Sequence, residues 1–515
     1  MNGAECLLRT LLASGVDTCF MNPGTSEMQF VSALDRVDGM RSLLCLFEGV
    51  CSGAADGYAR MLRRPAATLL HLGPGLGNGL ANFHNARKAR SPIVNIVGQH
   101  STQHLRYDAP LTADIEAFAR PVSGWIRSLA RASDMGADAA CAVKSACGPP
   151  GQVATLIVPA DFSWSEAGKP GDTLPPLERR RPASECVRAA AALLKSGESV
   201  GLMLGGYALL APALLAAGQL AAATGVRVFA DRNAGRMERG AGIFAPLRIP
   251  YFPEQATPAL AALKHLILVE SRPPVSFFGY PNHRSYLAPD DCAVHVLAAI
   301  EEDGTGALRM LVDECSAGSA VPVVPQPTPR AAVPDGPLTP DLIGQILAAE
   351  IPESCILCDE MISVGEPILR RLATAPRHDH LPVTGGSIGQ GLPVAVGAAV
   401  ACPDRKVLAL EADGSAMYTL QALWTMARER LNVLTIILSN RRYQILEIET
   451  RRTGGAEIGP RANEMMDLTR PVLDWVKLSE GHGVPATRAA TAADLALQCR
   501  QALNQHGPAL IEAVI

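Results

Sequence analysis

The chain is poor in aromatic residues, in paired cysteines and in long apolar runs, and these shortages narrow what it can be. Phe, Trp and Tyr make up only 4% of the 515 residues, so composition gives no support for an aromatic-lined pocket. Most of the 13 cysteines are scattered singly; the one C-x-x-C pair, Cys355 and Cys358, lies in an apolar run with no His at zinc spacing. They are typical of small core residues in a reducing cytosol, which predicts a cytoplasmic protein.

Neither a membrane nor a nucleic acid is an expected partner. No stretch is apolar enough over about 18 residues to suit a membrane span. Residues 201–226 come nearest, but they are rich in Gly and Ala and are better explained as a buried strand plus helix. Residues 1–5 make a poor signal peptide because they include an acidic residue. With 46 basic and 50 acidic residues, the net charge of −4 gives no reason to expect nucleic-acid or membrane-surface binding. Hydrophobic residues at 48% and charged residues at 19% indicate a globular chain.

Short apolar strands alternate with helices along the whole chain, which predicts three doubly wound α/β domains with parallel sheets. Two proline-rich stretches without periodicity, residues 166–182 and 316–340, are interpreted as linkers. The predicted domains are therefore an N-terminal one at 1–165, a central one at 183–318 and a C-terminal one at 340–515. The length suits three domains of roughly 100–200 residues each.

The most informative stretch is residues 406–443, which has the pattern strand, helix, strand. Thr419 is the expected N-cap of the helix. Asp413 and Asn440 follow the two strands, at the sheet edge where open α/β sheets bind ligands. Both offer oxygen atoms, the ligands that Mg²⁺ prefers alongside substrate phosphates and waters. The pair predicts half of a site for a diphosphate and its metal, although either residue alone is more often part of a turn.

Glu48 and His71 follow strands of the N-terminal domain and are candidates for proton transfer. A carboxylate before a helix of small residues can lie in a poorly hydrated crevice, where it holds or donates a proton. The alternative is an exposed acid favoured by the helix dipole. His71 ends an apolar strand, and an imidazole titrates near neutrality. The alternative for His71 is a hydrogen-bonded structural residue.

Two glycine-rich stretches follow strands and offer a close approach to the backbone. Residues 73–79 fit neither the P-loop nor G-x-G-x-x-G, so they are interpreted as a contact with a ligand or a neighbouring subunit, or equally as a tight turn. Residues 385–391 lead into a helix predicted at 393–400. Their amides face an anion in one interpretation and belong to a flexible loop in the other.

These stretches occur in one order that resembles the thiamine-diphosphate-dependent enzymes of the acetolactate synthase and 2-oxo acid decarboxylase group, most of all the benzoylformate decarboxylases. The resemblance spans the whole chain. It is strong for cofactor binding, because five separate motifs agree, and weaker for substrate. The motifs are residues 22–27 (N-P-G-T-S-E), Glu48 with 55–59, His71 with 75–78, residues 386–389, and 413–415 with Asn440.

The resemblance implies a cofactor site. Asp413, the Asn440 side chain and the backbone carbonyl of Arg442 would hold Mg²⁺ against the diphosphate, and Ile388 would bend thiamine diphosphate. Glu48 would reach the aminopyrimidine ring from a partner subunit, which implies a homodimer or a tetramer. The remaining residues implied to bind the cofactor are Gly386, Ser387, Gly414 and Ser415.

The resemblance also implies residues for the substrate, a small 2-oxo acid. Ser26 would contact its carboxylate, and His71 would relay protons to the reacting group. Benzoylformate decarboxylases have a second active-site His in the central domain, where this chain has Gly279, with Tyr280 beside it and His283 four residues further on. That departure leaves the final proton delivery without the family's second imidazole and favours ligation to a second carbonyl.

Three hypotheses for function follow. The first is a lyase that decarboxylates a 2-oxo acid with thiamine diphosphate and Mg²⁺. The second is a transferase of the acetolactate synthase type. Enzymes of that type usually bind FAD in a longer central domain, and no stretch here forms a flavin motif. The third is a non-catalytic, cofactor-binding scaffold. Ala412 and Ser439 replace the Gly and Asn that are common beside the diphosphate motif, but both are small enough to leave binding intact.

Overall fold

The computed structural model describes residues 1–328, 336–453 and 458–515, so the predicted linker at 316–340 lies partly outside the described residues. The described strands form three sheets, which confirms the predicted fold class.

The first unit holds a six-stranded, wholly parallel sheet in the order β2-β1-β3-β4-β6-β5. Its strands are β1 Thr18–Asn22, β2 Arg41–Leu44, β3 Ala66–Leu70, β4 Ile93–Gln99, β5 Trp125–Ser128 and β6 Val153–Pro159. Its helices are α1 Gly3–Ala13, α2 Met28–Ala33, α3 Glu48–Leu62, α4 Leu72–Ala89, α5 Ile115–Ala119, α6 Met135–Cys147 and α7 Ala160–Trp164.

The middle unit holds a five-stranded parallel sheet in the order β10-β8-β7-β11-β12. The strands of this part of the chain are β7 Val200–Leu204, β8 Arg227–Ala230, β9 Met237–Arg239, β10 Leu247–Arg248, β11 His265–Val269 and β12 Ala293–Ala298. Its helices are α8 Ser184–Lys195, α9 Ala211–Thr224, α10 Pro253–Leu260 and α11 Gly304–Glu314.

The third unit holds a seven-stranded sheet in the order β17-β18-β16-β15-β13-β14-β9. Its strands are β13 Cys355–Glu360, β14 His378–Pro382, β15 Val407–Ala412, β16 Val433–Ser439, β17 Ala486–Ala489 and β18 Ala509–Val514. Its helices are α12 Pro340–Glu350, α13 Gly365–Leu372, α14 Gly391–Ala401, α15 Asp413–Ala416, α16 Ala422–Arg428, α17 Gln444–Arg452, α18 Pro460–Glu464, α19 Trp475–Gly481 and α20 Ala492–Leu503.

The third sheet is not purely parallel, which refines the expected architecture. Strand β9 comes from the middle of the chain and pairs antiparallel with β14, placing Arg239 opposite His378. A three-residue strand has too little apolar pattern to be recognised in a sequence. It ties the middle unit to the third.

The first and third units share one hydrophobic core, because α3 packs along α14. Helix α14 is buried along nearly its whole length, as expected of a helix that is apolar all round. Side chains smaller than alanine are required where the helices cross. A Cβ at Gly57 would overlap the carbonyl of Val394, and one at Gly397 would overlap the carbonyl of Ala54.

Two local predictions are wrong. The alternative of a tight turn at residues 73–79 is wrong, because these residues lie within α4, which starts directly after His71; their contact with a ligand or a neighbouring subunit stays a prediction. Thr419 does not cap a helix: α16 begins at Ala422, and the Thr419 hydroxyl donates instead to the carbonyl of Gly389, at 3.0 Å. In the described part of the chain, no helix combines the length and apolarity needed to cross a bilayer.

Candidate active site

The carboxyl ends of β1 and β3 bring His71 against the loop at residues 22–27. The Nδ1 of His71 lies 2.8 Å from Glu27 Oε2, and the same oxygen accepts the Gly24 amide at 2.7 Å. The His71 ring packs directly on Gly24, where a Cβ would overlap it. Because Nδ1 is engaged, Nε2 is the ring nitrogen left for a ligand.

Glu27 was not singled out from the sequence, although it is the residue that orients His71. Only 3% of it is exposed, and burial raises the pKa of its carboxyl, opposed by the Gly24 amide and by His71. Thr25 or Ser26 would be the expected N-cap from residue type, but neither side chain caps a helix. Gly24 and Glu27 occupy the N-cap positions of the short turn Thr25–Glu27 and of α2. Ser26 lies half-buried beside this pair.

Glu48 is the first residue of α3 and is buried, with 7% of its surface exposed. The side-chain amide of Asn78 donates to Glu48 Oε2 at 3.0 Å. The other oxygen, Oε1, faces Gly75, where an added Cβ would lie 3.3 Å from it. The glycines of α4 therefore make room for the Glu48 carboxylate of the same chain, leaving Oε1 without a donor among the described residues.

The loops after β15 and β16 meet at Asp413 and Asn440. Asp413 Oδ2 accepts the Arg441 amide at 2.7 Å, and Oδ1 accepts the Gly414 amide at 2.9 Å. Asn440 Oδ1 accepts the Arg442 amide at 3.1 Å. These bonds fix both side chains at the edge of the sheet, as the sequence predicts.

The same residues suit a divalent cation. Asp413 is 2% exposed, and burial raises its pKa to about 6, opposed by the amides of Arg441 and Gly414. No basic side chain of the described residues pairs with it, so a cation would supply the missing positive charge. Within the described ranges no group of three or more His, Cys, Asp or Glu is gathered into a metal site. Two protein oxygens are nevertheless a common donor set for Mg²⁺, which keeps waters and phosphate oxygens.

The loop at residues 385–391 presents Ile388 half-buried between two glycines in left-handed conformation, Gly386 at φ +77° and Gly389 at φ +88°. Two of its amides face an anion of the protein itself, because Gly389 and Gly391 each donate at 2.6 Å to the carboxylate of Glu360. A flexible loop is not what the structure shows, since side chains from both the first and the third unit bond its backbone. Contact of its remaining amides with the anion of a ligand stays a prediction.

Glu360 and Glu411 form a buried acid pair beneath this loop that the sequence did not reveal. They lie opposite each other on β13 and β15, with 1% and 0% of their surfaces exposed. Burial raises the pKa of Glu360 to about 7 and that of Glu411 well above its usual range. Glu360 accepts two amides while Glu411 has no donor, so a proton on Glu411 relieves the repulsion between them.

The central-domain segment compared with the family's second histidine lies near this loop. Phe277 packs on Gly386, and the Tyr280 hydroxyl donates to Glu449 of α17 at 3.0 Å. Gly279 has open space around it, and His283 is exposed. Aromatic side chains therefore border the loop at residues 385–391 despite the low aromatic content.

Three α/β units, with polar loops gathered at the carboxyl ends of the first and third sheets, define a class of cofactor-binding α/β enzyme. Comparison with known proteins identifies the family. Residues 1–118 match "Thiamine pyrophosphate enzyme, N-terminal TPP binding domain" and residues 368–513 match "Thiamine pyrophosphate enzyme, C-terminal TPP binding domain". The chain belongs to the thiamine pyrophosphate enzyme family.

Relatives over the full length agree. The chain is 50% identical to a Mycobacterium tuberculosis protein provisionally named acetolactate synthase large subunit IlvX, covering 100% of this chain and 99% of that one. It is 29% identical to benzoylformate decarboxylase of Pseudomonas aeruginosa, covering 97% and 96%. The solved Rhodococcus jostii RHA1 thiamine diphosphate-dependent 4-hydroxybenzoylformate decarboxylase has the same fold, with a TM-score of 0.86 at 24% identity over 100% and 99% of the two chains.

Proposed function

We propose that the protein decarboxylates a small 2-oxo acid with thiamine diphosphate and Mg²⁺. The observation that carries the proposal is the pairing of a buried Glu48, whose Oε1 is left open, with a His71 whose Nδ1 is held by Glu27. Bound thiamine diphosphate supplies the electron sink that allows a 2-oxo acid to lose CO₂. The chain's own residues bind, orient and move protons around it.

Glu48 and His71 have separate roles in this proposal. Glu48 would use Oε1 to hydrogen-bond the aminopyrimidine ring, since Asn78 already occupies Oε2. His71 would carry a proton at Nε2, because its bond to Glu27 fixes the opposite nitrogen. Ser26, half-buried in the same loop as Glu27, would contact the substrate carboxylate.

The third unit would bind the diphosphate end of the cofactor. Asp413, the Asn440 side chain and the Arg442 carbonyl would hold Mg²⁺ against the diphosphate, beside Gly414 and Ser415. Ile388, with Gly386 and Ser387, would support the bend of the cofactor. If the family resemblance holds, Glu48 and Ile388 of different subunits would share one site, and we therefore propose a homodimer or tetramer. We also propose that the protein is cytoplasmic.

Glu48→Gln tests the proposal against a non-catalytic scaffold. The amide cannot hold the ring proton as a carboxylate does, so turnover should fall about 10²- to 10⁴-fold, the usual contribution of a positioned acid or base. The turnover of both proteins is measured as CO₂ release from aliphatic, aromatic and acidic 2-oxo acids. Asn78→Ala, which removes only the partner of Oε2, should cost less. Unchanged turnover in Glu48→Gln would contradict the role of Glu48. No CO₂ from the unaltered protein with any of these acids would contradict the proposal and favour the scaffold.

A carboligating transferase is the second candidate, favoured by the similarity to a protein provisionally named as an acetolactate synthase subunit. Gly279 also leaves no imidazole at the position of the second histidine. Adding pyruvate or an aldehyde acceptor to the CO₂ assay separates the two candidates. Acetolactate from pyruvate supports the transferase, and aldehyde as the sole product supports the lyase.

Flavin binding also bears on the choice between a lyase and an acetolactate synthase-like transferase, because transferases of that type usually bind FAD. A cavity of about 770 Å³ lies between the first and middle units and is lined by Arg90, Arg179 and Arg272, among others. Its arginine side chains would donate hydrogen bonds to the phosphates of a dinucleotide. No flavin motif accompanies it, so we expect the purified protein to be colourless. Visible flavin absorbance that survives gel filtration would contradict that expectation.

A further inference from the structure

The loop that carries Ile388 is held almost entirely by side chains that lie outside it. Backbone groups are engaged at every second position, at Gly385, Ser387, Gly389 and Gly391. A loop anchored in this way presents its central side chain in one orientation. The anchoring bonds are His84 Nε2 to the Gly385 carbonyl at 3.1 Å, Asn85 to the Ser387 amide and carbonyl at 3.2 and 2.7 Å, and Asn82 and Thr419 to the Gly389 carbonyl, both at 3.0 Å.

Glu360 makes the strongest of these contacts. Its Oε1 accepts the Gly389 amide and its Oε2 accepts the Gly391 amide, both at 2.6 Å. Charge-assisted bonds of this length are roughly twice as strong as neutral ones. The carboxylate also lies at the first residue of α14, where the helix dipole favours a negative charge. The Glu360 side chain therefore bonds the backbone at Gly389, which directly follows Ile388, and again at Gly391.

The site is shaped around this carboxylate. A Cβ at Gly391 would overlap Glu411 Oε1 and would lie 3.0 Å from the Cβ of Glu360. Gly391 is thus enclosed by the two acids, and a larger residue would push the loop away from them. The register of β13 and β15 sets this spacing, because Glu360 and Glu411 are opposite each other.

We propose that Glu360 is a positioning residue for the cofactor: its carboxylate occupies the amino-terminal end of α14 and fixes the loop that holds Ile388 in the crevice. This inference rests on the proposed function only in taking Ile388 to face the cofactor. If Glu360 had only a structural role, its loss would destabilise α14 without changing cofactor affinity. If Glu360 positions the loop, its loss should lower the affinity for the cofactor more than it lowers kcat at saturating cofactor.

The test compares Glu360→Gln with Asp359→Asn. Asp359 is the neighbouring carboxylate of β13, and it accepts the Met361 amide at 3.1 Å and His380 Nε2 at 2.9 Å but does not touch the loop. In Glu360→Gln an amide group faces one of the two loop amides, leaving that donor unpaired. Thiamine diphosphate with Mg²⁺ should therefore bind about tenfold more weakly, as expected for one lost buried acceptor.

Three measurements decide the outcome. Isothermal titration of the cofactor-free protein gives the affinity, hydrogen exchange of residues 385–392 without cofactor gives the mobility of the loop, and kcat at saturating cofactor gives turnover. We expect weaker binding and faster loop exchange in Glu360→Gln, with kcat changed less than affinity. Asp359→Asn should leave both affinity and loop exchange near those of the unaltered protein, even where its melting temperature falls.

Other results overturn the inference. Affinity and loop exchange in Glu360→Gln equal to those of Asp359→Asn would show that Glu360 does not position the loop. If Glu360→Gln fails to fold, Glu360→Asp, which keeps the charge but withdraws it by one methylene, should still weaken binding, and unchanged binding would overturn the inference. If the unaltered protein binds no thiamine diphosphate, the proposed function fails. The exchange of residues 385–392 then decides the role of Glu360 by itself.

Discussion

Glu27 has no place in the sequence-based site, yet it determines which nitrogen of His71 can act. A buried carboxylate that accepts both Nδ1–H and the Gly24 amide on one oxygen holds the ring in one tautomer and one plane. The close packing of Gly24 on the ring prevents it from tilting. His71 is therefore a preorganised group and not merely a histidine beside a crevice.

Glu27→Gln should lower kcat/KM about 10- to 100-fold, because an amide no longer selects the His71 tautomer that general acid–base catalysis requires. Steady-state kinetics on the preferred 2-oxo acid gives kcat/KM for the variant and for the unaltered protein. His71→Ala should cost at least as much, and the double variant should cost little more than His71→Ala alone, since the two residues act as one unit. Additive losses would contradict a shared role.

At the residue scale the sequence predicts side chains that follow strands and misses those that support them. Asp413 and Asn440 could be found because each follows an apolar run, and parallel strands end at one edge of the sheet. Glu360 and Glu411 also end apolar runs. Their pairing depends on the register between β13 and β15, which no local pattern fixes.

Helices α3 and α14 position the proposed site. Helix α3 begins at Glu48, and α14 begins three residues after Ile388. Gly57→Ala should lower the free energy of unfolding by about 1–3 kcal/mol, the usual cost of overpacking, because the added methyl overlaps the Val394 carbonyl. Urea denaturation measures it. The control is Gly77→Ala on α4, where the nearest heavy atom would be 4.0 Å away. That variant should be neutral or slightly stabilising, and equal losses in the two variants would contradict the packing argument.

Strand β14 should make stability depend on pH. Burial lowers the pKa of both His378 and His380 to about 4, below the unfolded value of 6.5. The unfolded chain therefore binds these protons first as pH falls. Stability from the neutral imidazoles is present above pH 6.5 and is lost as pH falls towards 4. Between pH 7 and 5 the loss should be on the order of 2 kcal/mol for each histidine.

Unfolding free energies at pH 7 and 5 test this for the unaltered protein and for His380→Gln. The variant lacks one titrating group, so its decrease should be smaller by on the order of 2 kcal/mol. The Nδ1 of His380 is buried without a partner, which is why a second ring proton is unfavourable there. Parallel decreases in the two proteins would show that His380 does not titrate on unfolding.

At the element scale, strands were easier to predict than the segments after them. The strand Ala509–Val514 is recognisable from a run that is apolar except for Glu512, and its neighbours in the sheet leave the middle of that run buried. The glycines of α4 signalled a loop by composition. They form a helix because their missing side chains admit the Glu48 carboxylate and Ala113, which is a tertiary requirement overriding helix propensity.

For the whole molecule, three α/β units follow from periodicity, but the way they combine does not. The first and third units share a core that runs from Phe20 to Leu510, whereas the middle unit has separate clusters. Contacts between residues hundreds of positions apart leave no trace in local pattern. The predicted domain boundaries stay a prediction, and the transfer of β9 to the third sheet shows that one linear division of the chain is too simple.

This organisation predicts which parts open together. Amides of α3 and α14 should exchange through one opening of high free energy, because neither helix can leave the shared core alone, whereas β7 and β11 should exchange in a separate unit. The β9 amides should follow the third sheet, to which they are bonded. Native-state hydrogen exchange in increasing urea measures the opening free energies. Gly57→Ala should lower those of α3 and α14 by the same amount and leave that of β7 unchanged. If α3 opened with β7 instead of α14, the two units would not share a cooperative core.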